Sequence, residues 1–122
     1  MARVLFTANP MRGHVNTLLP LALAAADAGH EVAVATGADL APVVERHGLT
    51  TWPAGPTHAE GGGRAGLSVD YFTAMAEKRA LDLVPRALDW RPALVVHEDT
   101  ELTGPVAAAV SGATGPACTG WG

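Results

Sequence analysis

The chain has 122 residues, 48% of them hydrophobic, with 8 basic and 12 acidic side chains and a formal net charge of −4. That length fits one domain with a buried core, and an acidic balance without any basic run excludes a nucleic-acid surface. Cys118 is the only cysteine, which excludes an internal disulfide and makes a reducing, cytoplasmic setting the expectation.

Arg3-Val-Leu-Phe-Thr-Ala8 is a short apolar run closed by Asn9-Pro10, the pattern of a buried strand. Val15 to Ala28 is rich in Leu and Ala and ends at Gly29, so it predicts a helix with Pro20 near its start. A secretory signal peptide competes for Gly13 to Ala26, but the strand before it and Pro20 and Asp27 within and after it fit a helix better. No stretch approaches the ~20 apolar residues that a membrane span requires. Glu31 to Thr36 reads as a second strand. Asp39 then offers an N-cap for a short helix through His47, stopped by Gly48. Leu49 to Trp52 is a third strand, ended by Pro53.

Ala54 to Gly66 breaks this rhythm. It contains Gly55, Pro56, Gly61-Gly-Gly63 and Gly66, and predicts a mobile loop. Ser68 is placed to cap a helix from Val69 to Trp90, which Pro85 is expected to kink or split. Ala93 to Val96 is a fourth strand, Thr103 to Val110 a helix ended by Gly112, and Pro116 to Thr119 a fifth strand. The chain stops at Gly120-Trp-Gly122, where such sheets often continue. The expectation is a truncation, a domain boundary or a split gene.

Alternating strands and helices predict right-handed crossovers and an α/β, Rossmann-like, doubly wound parallel sheet. In the usual order 3-2-1-4-5, strands one and four are neighbours, and ligands bind beyond their carboxyl ends. The loop Asn9-Pro-Met-Arg-Gly-His14 and the run His97-Glu98-Asp99-Thr100-Glu101 should therefore share one crevice. His14 falls at the start of the first long helix, whose dipole disfavours an imidazolium. A carboxylate on one ring nitrogen would fix the tautomer and leave the other nitrogen as a general base. Glu98 is the first choice for that carboxylate, with Asp99 and Glu101 as fallbacks. The plainer reading is a capping histidine beside a solvated strand end. His30 and His47 adjoin helix-ending glycines and read as structural, whereas His58 lies in the loop, where it is either free or in contact with a ligand.

Other chemistries lack their residues. The first strand–helix turn has a single glycine, Gly13, so the dinucleotide fingerprint is absent there, and no P-loop sequence occurs anywhere. Gly61 to Gly66 does not follow a strand directly. There is no G-x-S-x-G elbow, and no Cys or His spacing suggests a metal site.

Arg12-Gly-His-Val-Asn-Thr-Leu-Leu-Pro20, followed by Gly29-His-Glu-Val32 and Thr36, resembles the opening of nucleotide-sugar-dependent glycosyltransferases of the GT-B class. The likeness is closest to the bacterial branch that decorates antibiotics and other natural products. Arg91-Pro-Ala-Leu-Val-Val-His-Glu98 looks like the fourth-strand segment of the same family. The resemblance implies that residues 1–122 form a single acceptor-binding domain, one half of a two-domain enzyme whose donor-binding domain is absent. It implies His14 as the base that takes the acceptor hydroxyl proton, and Glu98 as its orienting partner. Met11, Arg12, Gly13, His58 and Asp99 would contact a small-molecule acceptor, and transfer would invert the anomeric carbon. No cofactor or metal is expected in this chain. A nucleotide-sugar co-substrate would be held by the missing donor domain or by a partner chain. Two departures stand out. The family commonly has Asp where this chain has Glu98, and the His-Gly-Gly donor motif is missing. The loop before Val69 is also short for the family. The alternative is a non-catalytic accessory or split-enzyme module that binds a partner chain or a small apolar ligand; a different Rossmann-like enzyme is a third possibility.

Overall fold

The computed structural model describes residues 1–62 and 69–115 and the backbone of residues 117 and 118. Five strands form one parallel sheet: β1 (Arg3–Thr7), β2 (Glu31–Thr36), β3 (Thr50–Pro53), β4 (Leu94–Glu98) and β5 (Ala117–Cys118). Their spatial order is β3-β2-β1-β4-β5, as the alternation of elements predicts. Register puts Thr7 beside both Ala35 and His97. The carboxyl ends of β1 and β4 are therefore level, and the chain segments that leave them emerge side by side.

Successive residues of a strand point to opposite faces, so each strand feeds two cores. Val4, Phe6, Val34 and Val96 pack on one face against α1 (Arg12–Asp27) and α2 (Ala41–Glu45), through Val15, Leu18, Leu19, Ala22 and Val44. Leu5, Ala33, Ala35, Val95 and Trp52 pack on the other against α3 (Val69–Trp90) and α4 (Thr103–Ser111), through Leu83, Ala87, Ala107 and Ala108. The sheet is thus covered on both sides, the condition for a parallel sheet with continuous apolar strands. Among the described residues, no helix is long and apolar enough to cross a membrane.

Several local expectations change. The first helix begins at Arg12 and not Val15, which places His14 inside its first turn. Pro85 does not split α3, which runs unbroken over 22 residues; proline removes one internal hydrogen bond, and packing through Leu83 and Ala87 on either side holds the helix together. Asp39 makes no cap. It lies within a short 3-10 turn, Ala38–Leu40, and its carboxylate instead accepts the backbone N–H of His58 at 3.1 Å. Gly112 closes α4 in the left-handed conformation, with φ of 78°, as its position in the sequence suggests.

The predicted mobile loop is built, where described, from hydrogen-bonded turns. The N–H of Thr57 bonds the Glu60 carboxylate at 2.9 Å, and the N–H of Glu60 bonds the Thr57 hydroxyl at 3.2 Å. This is the reciprocal capping box that Thr57-His-Ala-Glu60 encodes. Gly63 to Gly66, the proposed cap Ser68, and Pro116, Thr119 and Gly120-Trp-Gly122 lie outside the described residues.

Candidate active site

The β1–α1 connection supplies Asn9 and His14, and the β4–α4 connection supplies Glu98, Thr100 and Glu101. His14 and Glu98 meet with Nδ1 to Oε1 at 3.0 Å. The extra methylene of glutamate relative to aspartate therefore does not prevent contact. Nδ1 also lies 3.1 Å from the Thr100 hydroxyl oxygen. That hydroxyl donates its own proton to Oε2 of Glu98, at 2.7 Å, so towards His14 its oxygen can only accept. Both neighbours of Nδ1 are acceptors, which requires the proton on Nδ1. Nε2 is then the unprotonated nitrogen of the neutral ring, and it has no partner among the described residues.

Glu98 is 2% exposed, which overturns the reading of this run as a solvated strand end. Besides His14 and the Thr100 hydroxyl, it accepts the Asn9 side-chain amide at 3.0 Å, the Asn9 backbone N–H at 3.4 Å and the Thr100 backbone N–H at 3.0 Å. Burial alone would raise its pKa, but the hydrogen bonds from His14 and Thr100 outweigh burial and hold it at about 2. The His14 pKa is raised from 6.5: the hydrogen bond to Glu98 exceeds the opposing effect of burial, and the charges of Glu98 and Asp99 add to it. The neighbouring carboxylates thus prevail over desolvation.

His14, Gly13, Thr17, Phe72, Glu98, Asp99 and Thr100 line a cleft of about 370 Å³. Phe72, from α3, lies with its ring centre 6.3 Å from that of His14, and Asp99 is exposed at the rim. Met11, Arg12 and His58 are not in this cleft. With Pro10, Asp39 and Leu40 they line a second, adjoining hollow of about 400 Å³, and Gly13 borders both. The sequence-predicted set is therefore divided between two neighbouring hollows, with the acid–base pair in the first. His30 accepts the backbone N–H of Ala2 through Nδ1 at 3.0 Å and is structural. Among the described residues, no three His, Cys, Asp or Glu side chains gather as metal ligands.

Sequence reasoning missed Asn9, Thr100 and Arg79. Asn9 is 1% exposed and Arg79 is 0% exposed. Arg79 occupies the apolar stripe of α3 formed by Tyr71, Met75, Leu83 and Ala87. A cation at a core position of an amphipathic helix is the signal that would have found it. Glu101, named as a fallback partner for His14, instead pairs with Arg79 at 3.0 Å.

The strand order and the two-sided helical cover define a Rossmann-like α/β domain, with an imidazole–carboxylate pair where the strand order reverses. No protein-family profile matches the chain. Individual relatives do. TDP-daunosamine transferase DnrS of Streptomyces peucetius is 30% identical over 145 aligned positions, covering 91% of this chain and 34% of that protein. L-demethylnoviosyl transferase of Streptomyces niveus is 36% identical, covering 90% of this chain and 32% of that one. Among solved structures, SnogD from Streptomyces nogalater superposes with a TM-score of 0.85 at 30% identity, over 98% of this chain and 34% of its own. SsfS6 of Streptomyces sp. SF2575, solved with thymidine diphosphate, gives a TM-score of 0.85 at 27% identity, over 98% of this chain and 38% of its own. Over the stretch they share, the chain is similar in sequence to the N-terminal part of Streptomyces antibiotic glycosyltransferases and has the fold of that part of the GT-B structures. It spans about a third of the length of the curated relatives it matches. The 145 aligned positions with DnrS exceed the 122 residues here, so that relative carries residues without a counterpart in this chain.

Proposed function

We propose that this domain is the acceptor-binding half of an inverting glycosyltransferase, with His14 as the general base and Glu98 as the group that orients it. The observation that carries this reading is the Nδ1–Glu98 contact at 3.0 Å in a ring that lines an open cleft and whose Nε2 has no partner among the described residues. The cleft has the size of a small-molecule site, and Phe72 gives it an aromatic wall. An accessory module that only docks a partner would gain nothing from a buried, ionised carboxylate held against this histidine.

In the proposed step, Nε2 removes the proton of an acceptor hydroxyl as its oxygen attacks the anomeric carbon of a nucleotide-activated sugar. The bond from that carbon to the diphosphate oxygen breaks, and the nucleoside diphosphate leaves with the electron pair. Attack opposite the leaving group inverts the carbon. His14 becomes imidazolium, and Glu98 stabilises that charge without taking the proton. The nucleotide-sugar is a co-substrate gripped outside these residues. Met11, Arg12 and His58, in the adjoining hollow, would contact the more distant part of the bound molecules, and Asp99 the acceptor at the rim.

The test is His14→Ala in the full-length gene product, supplied with nucleotide-sugar and aglycone. Transfer should fall by ~10²-fold or more while the fold survives. Unchanged turnover would remove His14 from the mechanism.

A further inference from the structure

Behind the His14–Glu98 pair lies a second buried polar set that proton transfer does not use. Arg79 reaches into it from α3, fully excluded from solvent. Its Nε donates to the carbonyl of Ala54 at 3.2 Å. Nη1 donates both to Oδ1 of Asn9 and to Oε1 of Glu101, each at 3.0 Å, while Nη2 has no partner among the described residues. The approach is close: a Cβ on Gly55 would stand 2.8 Å from the Arg79 Cβ. A guanidinium is costly to bury unless its surroundings are arranged for it.

The contact with Asn9 has a directional consequence. The oxygen and nitrogen of an amide are nearly the same size, and hydrogen bonding decides which way it faces. Arg79 offers only donors, so Oδ1 must turn towards it. Nδ2 is then directed at Oε1 of Glu98 and at the carbonyl of Thr100, both at 3.0 Å. Every polar atom of the Asn9 side chain is complementary in one orientation and mismatched in the other. The sequence of contacts runs Arg79, Asn9, Glu98, His14, from α3 across the sheet's end to α1.

We infer that Arg79 is a positioning residue for the base: through Asn9 it locks Glu98 onto Nδ1 of His14 and thereby presents Nε2 to the cleft. The inference rests on His14 being that base. It also ties the base to α3, whose Phe72 forms a wall of the same cleft. The charged groups that act on the imidazole are Glu98 and Asp99 after β4, with the Arg79–Glu101 pair behind Asn9.

The test uses the full-length gene product with isotope-labelled histidines, with the His14 signal identified by its loss in His14→Ala. In Arg79→Met, the share of neutral His14 carrying its proton on Nδ1 should drop, and its titration midpoint should move down towards 6.5, the ordinary imidazole value. The kcat should fall about tenfold with KM little changed. Asn9→Leu should do the same while leaving the Arg79–Glu101 pair in place, and it decides the matter if Arg79→Met does not fold. In the His14→Ala background neither substitution should lower the residual transfer further, because both act through the missing ring. An unmoved tautomer and midpoint in a folded variant would overturn the inference, as would an equal loss of transfer in that background. A fully active His14→Ala would overturn the base assignment instead, and the tautomer measurement would still decide whether Arg79 orients the ring.

Discussion

Glu98 and Glu101 leave the same connection, and both are almost wholly buried. They differ in what faces them. Glu101 meets Arg79, the Thr7 hydroxyl at 2.7 Å, and the backbone N–H groups of Thr103 at 2.9 Å and Gly104 at 2.7 Å. All of these remain donors at any ordinary pH. Glu98 also collects permanent donors, but one of its partners is an imidazole, the side chain whose charge changes near neutrality. A carboxylate among fixed donors anchors the start of α4; one that shares a titrating ring tunes it. Asn9 joins the two sets, donating to Glu98 and accepting from Arg79.

That contrast can be broken most severely at Glu101. Glu101→Gln leaves Arg79 as an uncompensated buried cation, and the unfolding free energy by denaturant titration should fall by ~3–5 kcal/mol. A loss below ~1 kcal/mol would show that Glu101 is no anchor. Gly104→Ala attacks the same set sterically, since the added Cβ would stand 2.6 Å from both the His97 Cβ and the Thr7 hydroxyl; a cost of ~1–3 kcal/mol is expected from the same titration.

At Glu98 the balance should reverse. Glu98→Gln keeps its shape and most of its donors, so stability should drop only ~1–2 kcal/mol, while transfer falls about tenfold, less than in His14→Ala, because the ring can still accept a proton. The pH dependence of stability should differ as well. The His14 pKa is raised, so its contribution is full below 6.5 and is lost as pH rises through the folded value. The Glu98 pKa is lowered, so its contribution is full above 4.5 and is lost as pH falls towards about 2. The pair therefore contributes most between 4.5 and 6.5, and Glu98→Gln should flatten that maximum in denaturant titrations across pH. The smallest effect belongs to Asp99→Asn. This exposed carboxylate acts on His14 only through space, and transfer should change by no more than about twofold. A silent Glu98→Gln beside a severe Asp99→Asn would exchange the two assignments.

Much of this was legible in the sequence because it follows from chain direction. Alternating strands and helices dictate a parallel sheet, and the switch between β1 and β4 brings His14 to Glu98 without any further information. Gly29 and Gly112 mark helix ends because they supply the left-handed backbone that other residues resist. The buried network was not legible, because a hydrogen bond between Arg79 and Asn9 depends on how deeply α3 settles on the sheet. Its one trace is an arginine where the spacing of Tyr71, Met75 and Leu83 calls for an apolar residue. Asp39 misled for a related reason: its carboxylate had two possible backbone donors, and the one that won, at His58, comes from a distant turn.

The most direct test of the His14–Glu98 pair is the pH profile of kcat/KM for sugar transfer by the full-length gene product. An acid limb with its midpoint above 6.5 is expected, absent in His14→Ala and displaced to lower pH in Glu98→Gln. A limb at or below 6.5 that Glu98→Gln leaves in place would contradict the assignment of Glu98 as the group that tunes the base.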